Sequence, residues 1–174
     1  ALNILRKVSL IACEDTRQTK KILNKFSIKN ELISFNKHNS SIKIPGIINF
    51  LKEGKSIGLV SDAGMPSICD PGEELVYQSR LHRIDTICIP GPCAVTTAIV
   101  SSGFPSSRFT FEGFLPKKKI DREKIIYEIG EREQTTVLFE SPHRLIKLLK
   151  EFKRCIGGER EIEISRELTK KFEE

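Results

Sequence analysis

Apolar residues fall into two alternating rhythms along the first hundred positions. Leu2, Leu5 and Val8 share one helical face, and Ser9 to Cys13 is a short apolar run that reads as a buried strand. Thr19, Ile22, Leu23 and Phe26 recur at i, i+3, i+4 and i+7, the stripe of an amphipathic helix. Glu31 to Phe35 predicts the next strand. Ile44, Ile47, Ile48 and Leu51 predict the next helix, with Pro45 near its start and Gly54 beyond its end. Ile57 to Val60 predicts a strand, Pro71 to about Leu81 a helix, and Asp85 to Ile89 a further strand. The helix after Pro90-Gly91-Pro92 stops at Ser101-Ser102-Gly103, with Pro105 beyond. Such alternation predicts an α/β fold, a mostly parallel sheet with helices on both faces.

The rhythm changes after Ser106-Ser107-Arg108. A domain boundary is expected there, with an α/β domain over residues 1–107 and a smaller mixed α+β domain over 108–174. Phe109, Phe111 and the residues to Phe114 alternate like a half-buried strand. An amphipathic helix through Ile125, Ile126 and Ile129 follows, then a strand from Thr135 to Phe139. Leu145, Leu148, Leu149 and Phe152 form a helical face behind Ser141-Pro142. Ile162 and Ile164 mark a last strand. Both ends read as cut: Ala1 to Val8 begins as if inside a helix already under way, and Lys171 to Glu174 trails off after a strand-like segment.

Candidate chemistry gathers where predicted strands end. Ser61-Asp62-Ala63-Gly64-Met65 forms a small polar loop after an apolar strand, the place where open α/β sheets bind ligands. Asp62 is too far from the next helix to cap it, whereas Asp70 with Pro71 and Glu73 reads as an N-cap and first turn. Asp15 with Gln18 reads as a capping box; Glu14 and Arg17 are either a solvated helix end or part of a site. At Pro90 to Ala94 a strand enters a helix through a tight turn that aims backbone N–H groups at the strand ends. Cys93 stands at that helix start with no base beside it in sequence. His38 reads as a loop residue.

Charge changes the picture modestly. The chain is 39% apolar and 30% charged, with a net charge of +6, which leans towards an anionic partner. Lys117-Lys118-Lys119, Arg144, Arg166 and Lys170-Lys171 all fall near strand ends; they are either solvated faces or the rim of a cleft for phosphate. The five cysteines form no Cys-x-x-Cys pair, so neither a disulfide framework nor a metal site is expected, and a reducing cytoplasm fits. No apolar run is long enough for a membrane span.

Seven motifs occur in order: Glu14-Asp15-Thr16-Arg17, Ser61 to Pro66, Cys69-Asp70-Pro71-Gly72, Ile89-Pro90-Gly91-Pro92, Phe111 to Pro116, Glu140-Ser141-Pro142-His143-Arg144 and Arg166 to Lys170. Together they resemble the tetrapyrrole methylase superfamily, and within it the enzymes that methylate small-subunit ribosomal RNA. The resemblance implies S-adenosylmethionine as methyl donor, a cytidine 2′-hydroxyl of 16S rRNA in the small subunit as acceptor, two α/β domains and a homodimer. By matching position it implies that Ser61, Asp62, Ala63, Gly64, Met65, Gly91, Cys93, Ala94 and Phe139 line the cofactor pocket. Arg17, Lys117, Arg144 and Arg166 would face RNA. Met65 stands where the family commonly has threonine, and Cys69 and Cys93 where it has serine. The family's opening Pro-Ile-Gly-Asn-Leu loop is absent. Glu14, Lys117 and Glu140 are proton-transfer candidates by residue type alone. Two other readings stay open: a tetrapyrrole methylase of the same superfamily, and a non-catalytic RNA-binding module.

Overall fold

The computed structural model describes residues Ala1–Glu174 and divides into two compact units, Ala1–Pro92 and Cys93–Glu174. In the first unit the chain runs through α1 (Leu2–Lys7), β1 (Leu10–Cys13), α2 (Thr16–Lys25), β2 (Leu32–Ser34), α3 (Ser40–Lys52), β3 (Ile57–Val60) and α4 (Glu73–Leu81). The three strands are parallel and ordered β2-β1-β3, with Ile11 opposite both Leu32 and Gly58.

β1 is buried along its whole length, as a central parallel strand must be when helices cover both faces. Its side chains alternate between two cores. Ala12 packs with Phe35, Ile44, Ile47, Ile48 and Leu75, the cluster beneath α3 and α4. Ile11 and Cys13 point the other way, to Leu23, Ile28 and the apolar stripe of α1. This is the doubly covered sheet that the alternation predicts.

Three sequence expectations differ from the structure here. Asp85 to Ile89 is extended but pairs with no strand. Ile84 just ahead of it reaches the core, whereas Ile87 is 80% exposed and Pro90 ends the run. α4 starts at Glu73, so Gly72 is its N-cap and Asp70 caps nothing. α3 begins at Ser40 and carries Pro45 in its interior.

The second unit contains α5 (Ala94–Ser102), β4 (Phe109–Phe114), α6 (Lys119–Gly130), β5 (Thr135–Phe139) and α7 (Pro142–Ile156). β4 and β5 pair in parallel with α6 between them in sequence. Leu115, Ile126 and Leu148 form its core, flanked by Leu138, Phe152 and Ile156. α5 packs on β5, which puts it in this unit and draws the compact boundary at Pro92/Cys93 rather than at 107/108. Ile162 and Ile164 form no strand; both are exposed, separated by Glu163, and lack a neighbouring strand to pair with.

Candidate functional site

The strand order of the first unit reverses at β1: the chain goes to β2 on one side, then returns to β3 on the other. At such a reversal the loops leaving neighbouring strands diverge and open a crevice at their carboxyl ends. The residues at this edge are Glu14 after β1, Asn36 and Lys37 after β2, and Ser61 and Asp62 after β3. Asp70 and Cys69 join them from the loop before α4: the Lys37 ammonium donates to the Cys69 carbonyl.

Three carboxylates therefore converge there with one cation. Burial pushes the Glu14 carboxyl above its ordinary pKa, and the charges of Asp70 and Asp62 push it further. The Asp62 backbone N–H and Lys37 pull the other way. Asp70 is also raised, chiefly by burial; Lys37 opposes the rise and Asp62 adds to it. Asp15 behaves oppositely. It caps α2 by accepting from the Arg17 N–H at 2.8 Å, and the Arg17 guanidinium grips the same carboxylate at 2.8 Å. These bonds hold Asp15 at about 2. The capping box stays half-formed, because the Gln18 side chain accepts from Lys21 instead.

The loop from Ser61 to Gly72 is strained. Gly64, Ser67, Cys69 and Gly72 all have positive φ, two of them without the licence of a glycine. Each such residue costs about 1–3 kcal/mol, and such strain concentrates at ligand clamps. The Ser61 hydroxyl folds back towards the Ala63 and Gly64 carbonyls, at 3.4 Å each. Met65 lies against the Pro90–Pro92 turn: a Cβ on Gly91 would stand 3.4 Å from the Met65 Sδ. Two of the segments expected to hold the cofactor are thus neighbours. The N–H groups of Ala63, Gly64 and Gly91 form no hydrogen bond within the chain. Free backbone donors beside a carboxylate cluster can hold a ligand that carries both anionic and cationic groups.

The other expected pocket residues belong to the second unit. Cys93 is the N-cap of α5, where the Thr96 N–H pulls its thiol below the ordinary pKa. Ala94 is the first residue of that helix and exposed. Phe139 ends β5 with its ring 5.0 Å from Phe111, edge to face, and 5.5 Å from Phe114. Its side chain is an aromatic packing element of the unit's surface.

A cavity of about 270 Å³ opens between the turn after β4 and the first turns of α7. Lys117, Arg122, Arg144 and Lys147 line it against Glu140 and Glu151, so positive charge prevails four to two. Arg122 and Glu151 are locked to each other. The Arg144 guanidinium is 2.6 Å from Glu140 Oε1, and the same oxygen accepts from the Ser141 N–H. The Arg144 Nε also donates to this oxygen, so Glu140 Oε1 is held by both its own helix start and Arg144. The Lys117 and Lys147 ammonium groups have no such partner and supply the cavity's free charge.

Lys117 and Arg144, both expected at RNA, are thus brought together. Arg166 is not on the cavity wall; it pairs with Glu174 at 3.1 Å. Arg17 lies in the first unit, mostly exposed and bound to Asp15. His38 is an exposed loop residue, as expected. The polar Asn36 to Asn39 stretch, read as a possible cleft rim, supplies Lys37; sequence reasoning missed Arg122, Lys147 and Glu151. Lys147 was within reach, since it follows Arg144 by three residues on one helix and must share its face. The other two gain their roles from contacts across the fold.

The sequence pattern of the family described as Tetrapyrrole (Corrin/Porphyrin) Methylases matches residues 1–174. Ribosomal RNA small subunit methyltransferase I of Thermotoga maritima is 47% identical over 174 residues, all of this chain and 78% of that protein. The proteins of the same name from Vibrio cholerae and Halalkalibacterium halodurans are 46% and 45% identical, and the chain spans 60% of each. The likeness covers both compact units and every strand end described above, and on it the chain belongs to the tetrapyrrole (corrin/porphyrin) methylase family.

Proposed function

We propose that the whole protein of which this chain is part methylates the 2′-hydroxyl of a cytidine in small-subunit rRNA, with S-adenosylmethionine as donor. The observation that carries this reading is the 47% identity, over every residue of the chain, to a relative named as an rRNA small subunit methyltransferase. The basic cavity of the second unit supports it, because a phosphodiester backbone is read by lysine and arginine without regard to sequence.

The donor supplies an electrophilic methyl group on a positively charged sulfur. The chain's task is to align, since orientation alone can account for about 7–11 kcal/mol of a barrier. The Ser61 to Met65 loop and the Gly91 turn would offer backbone donors, and the Asp62 region would offset the donor's positive charge. Cys93, Ala94 and the Phe139 strand end of the second unit are further donor-binding residues that the family resemblance implies. Lys117 and Lys147 would hold phosphates, with Arg144 partly neutralised by Glu140. Of the proton-transfer candidates we favour Glu14, a half-buried strand-end carboxyl that burial raises above its ordinary pKa, which suits a base.

We further propose a cytoplasmic homodimer acting on the small ribosomal subunit. All five cysteines are free, which fits a reducing compartment, and no helix is long and apolar enough to cross a membrane. The test is labelled S-adenosylmethionine incubated with the whole protein and small subunits from unmethylated cells. Label on a single cytidine 2′-oxygen is the expected result. Label on tetrapyrrole precursors and none on RNA overturns the reading. Light scattering of the same preparation, expected at twice the chain mass, tests the dimer.

A further inference from the structure

The guanidinium of Arg122 joins three segments of the second unit. Its Nε and Nη2 grip Glu151 on α7, and its Nη1 donates to two backbone carbonyls, Pro116 at 3.0 Å and Lys117 at 2.7 Å. Arg122 is 8% exposed and Glu151 7%, so this node is shielded from water. The two carbonyls belong to the turn between β4 and α6, and that turn carries Lys117 to the cavity wall.

We infer that Arg122 is a positioning residue for Lys117, holding the Pro116-Lys117 backbone so that the ammonium faces an RNA phosphate in the cavity. The inference rests on the RNA reading above and adds a residue to it. The division of labour is chemical. Lys117 is fixed through its carbonyl, which leaves its side chain free for a ligand. Arg122 spends all of its bonds inside the protein and offers nothing to RNA directly. A lysine at 122 has one compact ammonium and cannot span a carboxylate and two carbonyls as a planar fork does. Glu151 keeps the fork oriented, and it lies one turn beyond Lys147, so the node also ties the turn to the helix that bears the second free cation.

The test is a double-mutant cycle in the whole protein, using Lys117→Ala, Arg122→Lys and both together. Affinity is read with a small-subunit rRNA transcript over a range of salt, and turnover with small ribosomal subunits. Lys117→Ala should weaken RNA binding about tenfold, the size of one charged hydrogen bond, and flatten the salt slope by about 0.7. Arg122→Lys should produce most of that loss while S-adenosylmethionine affinity stays unchanged, with KM for subunits rising and kcat held. The double variant should bind RNA no worse than Lys117→Ala alone. Independent, multiplying losses, or an Arg122→Lys variant with native RNA affinity, overturn the positioning role and leave the RNA reading standing. Native RNA affinity in Lys117→Ala overturns both. If Arg122→Lys fails to fold, Glu151→Gln replaces it in the same cycle, with the same non-additivity expected and the same additive result overturning the inference.

Discussion

Arg122 and Glu151 meet through two parallel hydrogen bonds, Nε to Oε2 at 2.6 Å and Nη2 to Oε1 at 2.8 Å, with each side chain 9% exposed. Desolvating two charges costs nearly what their attraction returns, so the pair adds little net stability. Removing one partner is another matter, because it strands the other charge.

Glu151→Ala should therefore destabilise the protein by about 3–5 kcal/mol. The double replacement Arg122→Met with Glu151→Leu should fall far closer to wild type. Urea denaturation of the three proteins checks this. A double variant as unstable as the single one would show that the bonds to the Pro116 and Lys117 carbonyls carry the stability.

Gly72 is needed twice over. Its φ is +149°, and a Cβ there would lie 2.5 Å from the Ser67 Oγ and 2.8 Å from the Leu59 Cδ2. Gly72→Ala should cost about 2–4 kcal/mol, combining backbone strain with overpacking. A thermal melt unchanged from wild type would contradict it.

Much of this fold was legible because β1 and its covering helices follow simple rules. Leu10 to Cys13 is apolar throughout, and the stripes of α2 and α3 have the spacing of one buried face. Ile87 and Ile164 misled for one reason: local alternation makes a strand plausible, but only a paired neighbour and a covering layer make it real. Asp70 misled because a helix start with Asp, Pro and Glu in order has a local explanation. In the fold a strained glycine takes the cap, and Asp70 lies within the electrostatic reach of Lys37 and Asp62 instead. The site was legible as loops and not as a cluster. Glu14, Asp62 and Asp70 meet only because β1 and β3 are adjacent, a fact of strand order that no local pattern contains.

The cluster and the neighbouring α2 cap have opposite pH dependences. Glu14 and Asp70 have raised pKa values in the folded chain, so their favourable contribution is complete below the ordinary carboxyl pKa and is lost as pH rises through the raised values. Asp15, lowered from its usual 3.8 to about 2, contributes above about pH 4 and loses that contribution as pH falls towards 2. Glu14→Gln with Asp70→Asn should flatten the stability profile above about pH 4, and Asp15→Asn should flatten it below pH 4. Melting temperatures across that range decide it; a double variant with the wild-type slope above pH 4 would remove the cluster from the account.

Asp62 offers the sharpest test of the cofactor loop. It is exposed just after β3, and its negative charge adds to the burial that raises Glu14 and Asp70. A ligand with a sulfonium centre beside this loop would feel that charge, whereas its demethylated product, with a neutral sulfur, would feel it less. Asp62→Asn keeps the shape and removes the charge. In the whole protein it should weaken S-adenosylmethionine binding about tenfold, the loss of one charge-assisted contact, and weaken S-adenosylhomocysteine binding distinctly less. Gly64→Val should weaken both alike, because the φ of +73° at Gly64 is one that a β-branched residue resists. Calorimetric titration of each variant with both ligands separates the two effects. Equal losses for the two ligands in Asp62→Asn would mean that Asp62 acts as a hydrogen-bond acceptor rather than through its charge. Native affinity in both variants would place the donor elsewhere than on the Ser61 to Met65 loop.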